Sequence, residues 1–302
     1  MLNEPRTVVG LGELLWDLFP AGKQLGGAPA NFAYITSLLG DRGIPASRLG
    51  NDKLGDEVIG RLGQLGLSTE FVQRDAEHPT STVKVEVDSA GQPRFELSES
   101  IAWDFFDWNA QWQKLAAELD AVCFGSLAQR SERSRATIRN FLFGTRPNAI
   151  RVFDVNLRQH FFTAEVIGTS MKLATIVKLN HEELPRVMKL LGLEHRGQKE
   201  SAQRLLDEYE LALICLTRGT DGSLLLSEKN SCEHPGFRVK VADTVGAGDA
   251  FTAAMVHGYL RGVSLAEINE TANQVGAWVA SQPGGTPAPE NGDLKHALAQ
   301  IR

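Results

Sequence analysis

The feature of this 302-residue sequence that most constrains its fold is an alternation of short apolar runs with segments of helical periodicity. Runs of this length and composition are typical of strands buried on both faces. They lie at 7–11, 121–124, 151–155, 175–179 and 211–216. The order strand, helix, strand is the pattern of βαβ units, so the sequence predicts an α/β fold with a mostly parallel central sheet.

Helical spacing fills the stretches between the apolar runs. A helix is predicted at 29–39, because Pro29 suits a first helical turn and Gly40 suits the exit. Further helices are expected at 54–65, 131–143, 182–191, 198–208, 247–261, 264–281 and 290–300. The C-terminal third is therefore predicted to be mostly helical.

One region interrupts this alternation. Residues 80–87 and 93–97 have strand composition around the turn sequence DSAGQ at 88–92. The pattern predicts a β-hairpin, which could be a lid inserted over the main sheet or an ordinary surface hairpin. No internal repeat or long linker divides the sequence. We therefore predict one domain over 1–302, with a small β lid formed from about 12–30 and 80–105.

Composition excludes several classes of protein. The formal net charge is −6 and no run of Lys and Arg is interleaved with aromatic residues, so nucleic acid is not an expected partner. No apolar run approaches the roughly 20 residues of a membrane helix, and the N-terminus lacks a signal-peptide pattern. We expect a cytoplasmic protein with no membrane partner. The three cysteines lack the spacing of a disulfide framework or a metal site.

The strongest local pattern is the segment DTVGAGDAF at 243–251, which leads into an apolar-periodic helix. Glycine at two positions lets the backbone N–H groups of Gly246, Ala247 and Gly248 point into one concavity at a positive helix end, which predicts an anion hole. Asp249 follows directly, where its carboxylate could accept a proton from an attacking hydroxyl. Alone, this aspartate could instead complement the helix dipole. The complete nonapeptide favours the catalytic interpretation.

Polar or small residues follow the predicted strands. Ligands of open parallel sheets bind beyond the carboxyl ends of the strands, so these positions could line one crevice. Each of them, taken singly, also suits a turn. They are Gly12, Glu13, Asp17, Gly125, Asn156, Asn180 and Thr217-Arg218-Gly219.

Several of these motifs resemble those of one family. The segment at 243–251 matches the Asp-Thr-x-Gly-Ala-Gly-Asp-x-Phe motif of the ribokinase-like (PfkB) carbohydrate kinases, and LGGAPAN at 25–31 resembles their Gly-Gly motif in a form similar to fructokinases. Three further pieces fall in the expected order: Gly12-Glu13 with Asp17, Asn-x-x-Glu at 180–183, and Thr-x-Gly at 217–219. The resemblance spans nearly the whole chain and implies a ribokinase-like three-layer α/β/α domain with a small β lid.

The resemblance implies an ATP-dependent kinase that phosphorylates a hydroxymethyl group of a small sugar. Fructose is the favoured acceptor and fructose 6-phosphate the expected product. Asp249 would be the catalytic base, and the backbone of 246–248 the anion hole. Arg158 could reach a phosphate or remain solvated. The positions implied for the sugar are Glu13, Asp17, Gly26, Gly27, Asn31, Phe95, Asn156 and Arg158.

Nucleotide and ion positions are also implied by the resemblance. Glu183 would influence Mg²⁺ through water, which suits a cation that is reluctant to dehydrate. The nucleotide positions are Asn180, Thr217, Gly219, Gly222 and Asn273, of which Asn273 also suits plain polarity on a helix surface. Carbonyl groups of Asp243, Val245, Ser281 and Gly285 would bind K⁺. The ending PGGTPAP at 283–289 departs from the pattern common in fructokinases.

Other functions remain open at this stage. Ribokinase, 2-keto-3-deoxygluconate kinase and nucleoside kinase are alternatives, because acceptor choice rests on few residues. A non-catalytic relative that binds sugar or nucleotide would be expected to lose the glycines or Asp249. A dinucleotide-binding motif lacks its third glycine, since position 15 is Leu15, and no P-loop occurs. The aromatic residues Trp103, Phe105 and Phe106 could pack in the core, on the sugar, or on a partner's lid in a homodimer.

Overall fold

The computed structural model describes residues 4–19, 22–87 and 93–301. The strands in chain order are β1 (Thr7–Leu11), β2 (Leu15–Phe19), β3 (Gly22–Gly26), β4 (Arg42–Gly50), β5 (Val72–Asp75), β6 (Ser81–Val87), β7 (Pro93–Leu97), β8 (Ala121–Phe124), β9 (Ile150–Asp154), β10 (Ile176–Asn180), β11 (Leu213–Thr217), β12 (Ser223–Leu226) and β13 (Ser231–His234). The α-helices are α1 (Ala28–Leu38), α2 (Lys53–Gln64), α3 (Ala110–Glu118), α4 (Glu132–Phe143), α5 (Ala164–Leu173), α6 (Glu183–Leu190), α7 (Gln198–Glu208), α8 (Ala247–Leu260), α9 (Leu265–Ala280) and α10 (Leu294–Leu298).

The described strands form a large central sheet in the order β13-β12-β11-β10-β9-β8-β1-β4-β5. All pairs from β5 across to β11 are parallel, whereas β12 pairs antiparallel with both β11 and β13 at one edge. The carboxyl ends of the parallel strands therefore meet along one edge of the sheet. This is the edge at which open α/β sheets bind their ligands.

Helices cover both faces of this sheet. Successive strand residues point to opposite faces, so Val8 packs into one core and Val9 into the other, and both are fully buried. Residues of α3 to α7, such as Phe141, belong to the core with Val9. Residues of α1, α2 and α8 to α10, such as Phe251, belong to the core with Val8. The predicted three-layer α/β/α architecture is confirmed.

A second, smaller sheet has the order β3-β2-β6-β7 among the described strands. The strands predicted at 80–87 and 93–97 correspond to β6 and β7, and the predicted turn at 88–92 lies outside the described residues. β2 and β3, in the stretch that follows β1, complete the sheet. It is the small β lid of the predicted fold class, whereas its limits at about 12–30 and 80–105 stay predictions.

Local sequence explains where several helices begin. Pro29 lies in the first turn of α1, where a missing N–H costs nothing. Asp52 caps α2 by accepting a hydrogen bond of 2.8 Å from Gly55 N. Ser264 and Glu267 form a capping box at the start of α9. Within the described ranges, no helix combines the length and apolar character needed to cross a membrane.

Candidate active site

The glycine-rich segment forms a sharp turn into α8 at the ligand-binding edge of the sheet. Gly246 precedes the helix with a φ of 75°, a left-handed conformation that favours glycine. A Cβ at this position would lie 2.5 Å from Gly285 Cα. Ala247 and Gly248 then open α8, and the first N–H groups of a helix lack partners within it. The predicted anion hole is therefore a helix N-terminus held by close backbone packing, at which Ala247 N donates a hydrogen bond of 3.3 Å to the Thr244 carbonyl.

Asp249 lies in the first turn of α8. Its Oδ2 accepts a hydrogen bond of 2.8 Å from Asn31 Nδ2 on α1. Desolvation in the cleft, with the nearby Asp154 carboxylate, raises the pKa of Asp249 to about 6. The other amide atom of Asn31, Oδ1, is buried and has no hydrogen-bond partner among the residues that the structure describes. Asn31 thus orients the carboxylate and keeps one acceptor for a ligand.

A pocket beside Asp249 brings together predicted residues from two strand ends and from the start of a helix. Glu13 follows β1, Asn156 follows β9, and Asp249 opens α8. Glu13 is 6% exposed, and burial raises its pKa to about 7. The remaining lining is largely apolar or small, from Leu11, Ala28, Pro29, Phe32, Cys123, Phe124, Gly125, Ser126, Leu127 and Asp154. Hydrogen-bonding groups on an apolar wall are typical of small-molecule sites.

Other predicted sugar-binding residues lie on β2 and at the connection from β3 to α1. A Cβ at Gly26 would overlap Asp17 Oδ2, so glycine at this position makes room for the carboxylate. Gly27 has a φ of 108° and packs on the Glu13 carbonyl, which also requires glycine. Burial raises the pKa of Asp17 to about 6, and Arg158 opposes this rise. Phe95 lies in β7, and its side chain is outside the described part of the structure.

Arg158 is exposed in the loop that follows β9. Its positive charge lowers the pKa values of three carboxyl groups, those of Glu13, Asp17 and Asp249, each of which burial raises more strongly. The preceding Asn156 has a φ of 41°, which is uncommon for a residue other than glycine. The loop therefore brings a cation towards the three predicted carboxylates.

The Asn-x-x-Glu motif connects β10 with α6. Asn180 Oδ1 accepts hydrogen bonds of 2.9 Å from the N–H groups of Glu182 and Glu183. The buried Glu183 carboxylate accepts bonds from Leu157 N at 2.7 Å and Asn180 N at 2.8 Å. Both side chains thus fix the two loops that leave β9 and β10 at the edge of the sheet.

Thr217, Gly219 and Gly222 lie beyond the end of β11. Thr217 pairs with Asn180 across the sheet, so the two motifs are neighbours. Gly222 has a φ of 77°, and a Cβ there would overlap the His234 carbonyl at the end of β13. Only glycine allows this close packing of the β11–β12 connection.

Asn273 lies inside the protein and not on a helix surface. It is 8% exposed, and its Nδ2 donates 2.7 Å hydrogen bonds to Ser223 Oγ and to the Asn269 carbonyl. Ser223 Oγ in turn donates to Asn269 Oδ1 at 2.5 Å. The Asn273 amide hydrogens are therefore used within the protein, next to the turn at Gly222.

The segments that carry the predicted potassium positions lie side by side. Asp243 N donates to the Ala280 carbonyl at 3.3 Å, and Gly284 N donates to Asp243 Oδ2 at 3.2 Å. The packing of Gly246 on Gly285 continues this contact. Asp243 and Val245 are thereby brought next to the stretch that contains Ser281 and Gly285.

Three residues that the sequence analysis did not select also reach the glycine turn. Lys178 on β10 forms a buried ion pair with Asp154 at the end of β9, and Thr252 on α8 contacts Asp154. The lysine interrupts the otherwise apolar run IVKL at 176–179. A charged residue inside a fully buried strand is rare, so this run carried a usable signal.

Comparisons with known proteins agree with this geometry. The family described as "pfkB family carbohydrate kinase" matches residues 17–291. An uncharacterized sugar kinase of Pyrococcus horikoshii is 30% identical over 306 residues, which cover 95% of this chain and 94% of that protein. A fructokinase of Vibrio alginolyticus is 28% identical over 307 residues, covering 96% and 98%. The P. horikoshii kinase in complex with ATP superposes with a TM-score of 0.80 at 30% identity, covering 92% of this chain and 94% of that one.

Proposed function

Because this chain belongs to the pfkB family of carbohydrate kinases, we propose that it transfers the γ-phosphoryl group of ATP to a hydroxymethyl group of fructose. One observation carries the proposal: the helix N-terminus at 246–248 opens beside Asp249, in the cleft that also holds Glu13 and Asn156. An anion site and a base thus adjoin a pocket with hydrogen-bonding groups. Phosphoryl transfer to an alcohol requires this combination.

The proposed reaction uses Asp249 as general base. With a pKa of about 6, the carboxylate is mostly ionised at neutral pH and can accept the proton of the attacking hydroxyl. The hydroxyl oxygen then attacks the γ-phosphorus, and the bond to the ADP oxygen breaks. The N–H groups of Gly246 and Gly248 stabilise the negative charge on the migrating group, and that of Ala247 joins them when it leaves the Thr244 carbonyl, 3.3 Å away. Asn31 holds the carboxylate in place through its hydrogen bond.

Fructose is supported as acceptor by the 25–31 motif and by the relatives named fructokinase. Asp17, Asn31 and Asn156 supply acceptors for sugar hydroxyls, while Gly26 and Gly27 leave room for the Asp17 carboxylate and the Glu13 carbonyl. Glu13, with its pKa of about 7, can accept or donate a hydrogen bond near neutral pH. We also include Phe95, on the small sheet, and Arg158, in the loop after β9, as residues that would contact the sugar.

We place ATP at the opposite end of the cleft, beside Asn180, Thr217, Gly219, Gly222 and Asn273. The solved complex of the P. horikoshii relative with ATP supports a nucleotide site in this fold. Exposed Gly219 presents its backbone to a ligand without side-chain obstruction, and buried Gly222 holds the turn beside it by packing on the His234 carbonyl. Asn273 retains its carbonyl oxygen for the nucleotide, because its amide hydrogens are engaged inside.

A magnesium ion would accompany ATP, and Glu183 fits a contact through water. Each of its carboxylate oxygens accepts one backbone hydrogen bond and keeps a lone pair for a bound water. Across 4–19, 22–87 and 93–301, no group of three or more His, Cys, Asp or Glu could by itself hold a metal. Mg²⁺ commonly keeps several waters and binds through phosphates and one or two carboxylates, so the residues present suit it. It would neutralise phosphate charge.

For potassium, we propose binding by the carbonyl groups of Asp243, Val245, Ser281 and Gly285. The support is the contact between the two segments that carry them. Replacing KCl with choline chloride at constant ionic strength should lower kcat. Equal rates in both salts would reject the site.

An acceptor panel tests the proposal. ADP release is measured with ATP and, in turn, fructose, ribose, 2-keto-3-deoxygluconate and adenosine, and the product is identified by ³¹P NMR. We expect the highest kcat/KM with fructose and a phosphate ester at its hydroxymethyl group. A preference for another sugar would support the proposed kinase activity but reject fructose as the acceptor. Activity with none of them, in protein that binds ATP, would contradict catalysis.

We also propose a homodimer formed through the small sheet. β3 and β7 are the edge strands of that sheet in the described chain, and unpaired strand edges readily add further strands. Light scattering coupled to gel filtration should give twice the chain mass of 33.0 kDa. A monomer at micromolar concentration would reject this part of the proposal.

A further inference from the structure

A buried ion pair lies beneath the glycine turn. Lys178 Nζ is 3.1 Å and 3.0 Å from the two carboxylate oxygens of Asp154. The two residues are only 7% and 5% exposed. Buried ion pairs often contribute little net stability, because removing both charges from water offsets their attraction. Stability of the sheet is therefore a weak reason for this pair, and its position suggests another.

Two contacts join the pair to the turn. Thr252 Oγ1 lies 3.0 Å from Asp154 Oδ2 and 2.9 Å from the Gly248 carbonyl oxygen. A hydroxyl has one hydrogen, so it donates to one of these oxygens at a time. A Cβ at Gly248 would come within 3.1 Å of Lys178 Nζ. The first turn of α8 therefore packs directly against the Lys178 ammonium group. Thr252 of the same helix contacts the Asp154 carboxylate.

The pair also acts on Asp249 through its charges. Desolvation is the main cause of the raised pKa of Asp249; Asp154 raises that pKa further, and Lys178 lowers it. Burial would lower the pKa of Lys178, but Asp154, Glu183 and Asp249 raise it above the ordinary value. The ammonium group therefore stays charged. The two members of the pair therefore shift the pKa of Asp249 in opposite directions.

We propose that Lys178, Asp154 and Thr252 are positioning residues for phosphoryl transfer, which hold the 246–248 backbone and the Asp249 carboxylate in their working arrangement. The inference rests on the proposed function, since it concerns the same anion hole and base. The ion pair packs against the turn, and the effects of its two charges on the pKa of Asp249 oppose each other. None of the three needs to touch a substrate.

Other groups facing Asp249 come from different elements and stay unchanged in the variants below. Glu13 lies after β1, Asn31 on α1 and Arg158 after β9. Glu183 at the start of α6 acts on Lys178. A shift in the titration of Asp249 can therefore be assigned to the pair.

The test compares pH profiles of kcat/KM for two single variants. In Lys178→Met, the unbalanced Asp154 carboxylate should move the acidic limb to higher pH by about one unit. In Asp154→Asn, the remaining ammonium should move it to lower pH by a similar amount. Both should lower kcat by about 10- to 100-fold, while the Kd values for sugar and ATP change by less than about threefold. The double variant should have a limb between those of the singles.

Asp41→Asn is the matched control. Asp41 is a buried carboxylate that hydrogen-bonds His257 and Arg261 at the other end of the same helix, α8. Its loss should destabilise the protein about as much, yet leave the acidic limb where the wild type has it. Limbs of Lys178→Met and Asp154→Asn that both coincide with the control would overturn the inference. So would two shifts of the same sign.

Thr252 provides a second test if the charge variants do not fold. Thr252→Val keeps the shape but removes the hydroxyl, and kcat should fall about tenfold with KM little changed. Thr252→Ser restores the hydroxyl and should restore kcat. Equal kcat values for the valine and serine variants would overturn the inference. These outcomes are separate from the proposed function, because a wild type inactive on every acceptor would reject the kinase itself before any variant is compared.

Discussion

At the scale of single residues, the proposed base Asp249 has to be ionised in a place that disfavours its charge. Desolvation raises its pKa to about 6, whereas an aspartate in water titrates near 3.9. The higher pKa makes it a stronger base, and at neutral pH most of the population still carries the charge. The chemistry of the site thus depends on a balance set by its neighbours.

The first prediction concerns pH. A base must be deprotonated to act, so kcat/KM should fall about tenfold per pH unit below about pH 6. The Glu13→Gln variant is the control, because Glu13 also titrates in this range, with a pKa of about 7. Asp17 also has a pKa of about 6, so an acidic limb that persists both in this variant and in Asp17→Asn belongs to Asp249. A profile that stays flat down to pH 4.5 would contradict the raised pKa.

The second prediction concerns Asp17. Its carboxylate is made accessible by Gly26 and can accept hydrogen bonds from sugar hydroxyls. Asp17→Ala should weaken fructose binding by about 10- to 100-fold, since hydrogen bonds to charged groups contribute about 1.5–3 kcal/mol. ATP binding should hardly change. Calorimetry of both ligands checks this, and equal losses for the two would refute the assignment.

At the scale of secondary-structure elements, the turn into α8 is the most constrained piece. Gly246 combines a left-handed φ with backbone contact to Gly285. The third prediction is that Gly246→Ala lowers the free energy of unfolding by about 2–4 kcal/mol, because strain and overlap add. Urea denaturation measures the loss.

Gly60→Ala is the comparison for that variant. Gly60 is exposed on α2, with nothing within 4 Å of an added Cβ. Alanine there should stabilise the protein by about 0.5–1 kcal/mol, because it lowers the entropy of the unfolded chain. Losses of equal size at both glycines would show that the turn is not special.

Elements with continuous apolar sequence were predictable, and mixed ones were not. The runs at 7–11 and 121–124 coincide with β1 and β8, because strands buried on both faces need apolar residues throughout. The strand predictions missed β2, β4, β5 and β12, and also β3 (GKQLG) and β13 (SCEH), which are short, polar edge strands without that pattern. The helix expected at 290–300 is shorter, since Asp293 caps a new start and accepts bonds from Lys295 N and His296 N.

At the scale of the whole molecule, the buried carboxyl groups of the site lower the stability of the fold at neutral pH. Glu13, Asp17 and Asp249 all have raised pKa values, because the fold buries their charges. A raised folded-state pKa means that the native protein binds more protons than the unfolded chain. Their contribution to stability is therefore greatest at low pH and is lost as pH rises through the folded values, about 6 to 7.

The fourth prediction follows from Glu13. Its pKa is about 7 in the fold against an ordinary 4.5, so the wild type should lose stability relative to Glu13→Gln as pH rises from 5 to 8. The loss should be on the order of 3 kcal/mol, measured by urea denaturation of ligand-free protein at each pH. A constant difference across this range would show that Glu13 titrates normally.

Sequence motifs indicated the positions that meet in the cleft, including Glu13, Asn31, Asn156 and Asp249. They did not reveal how the side chains contact one another. The Lys178–Asp154 pair was missed, because its meaning depends on β9, β10 and α8 meeting in space. The burial of Asn273 was also missed, since a helix surface and a helix interior can carry the same polar residue.

The central claim is that Asp249 accepts the sugar's proton while the 246–248 backbone receives the phosphoryl group. It is tested most directly by single-turnover transfer from ATP to fructose in wild type and Asp249→Asn, with calorimetry of both substrates. We predict similar Kd values in the two proteins and transfer about 10²- to 10⁴-fold slower in the variant. Transfer at the wild-type rate by Asp249→Asn would contradict the claim.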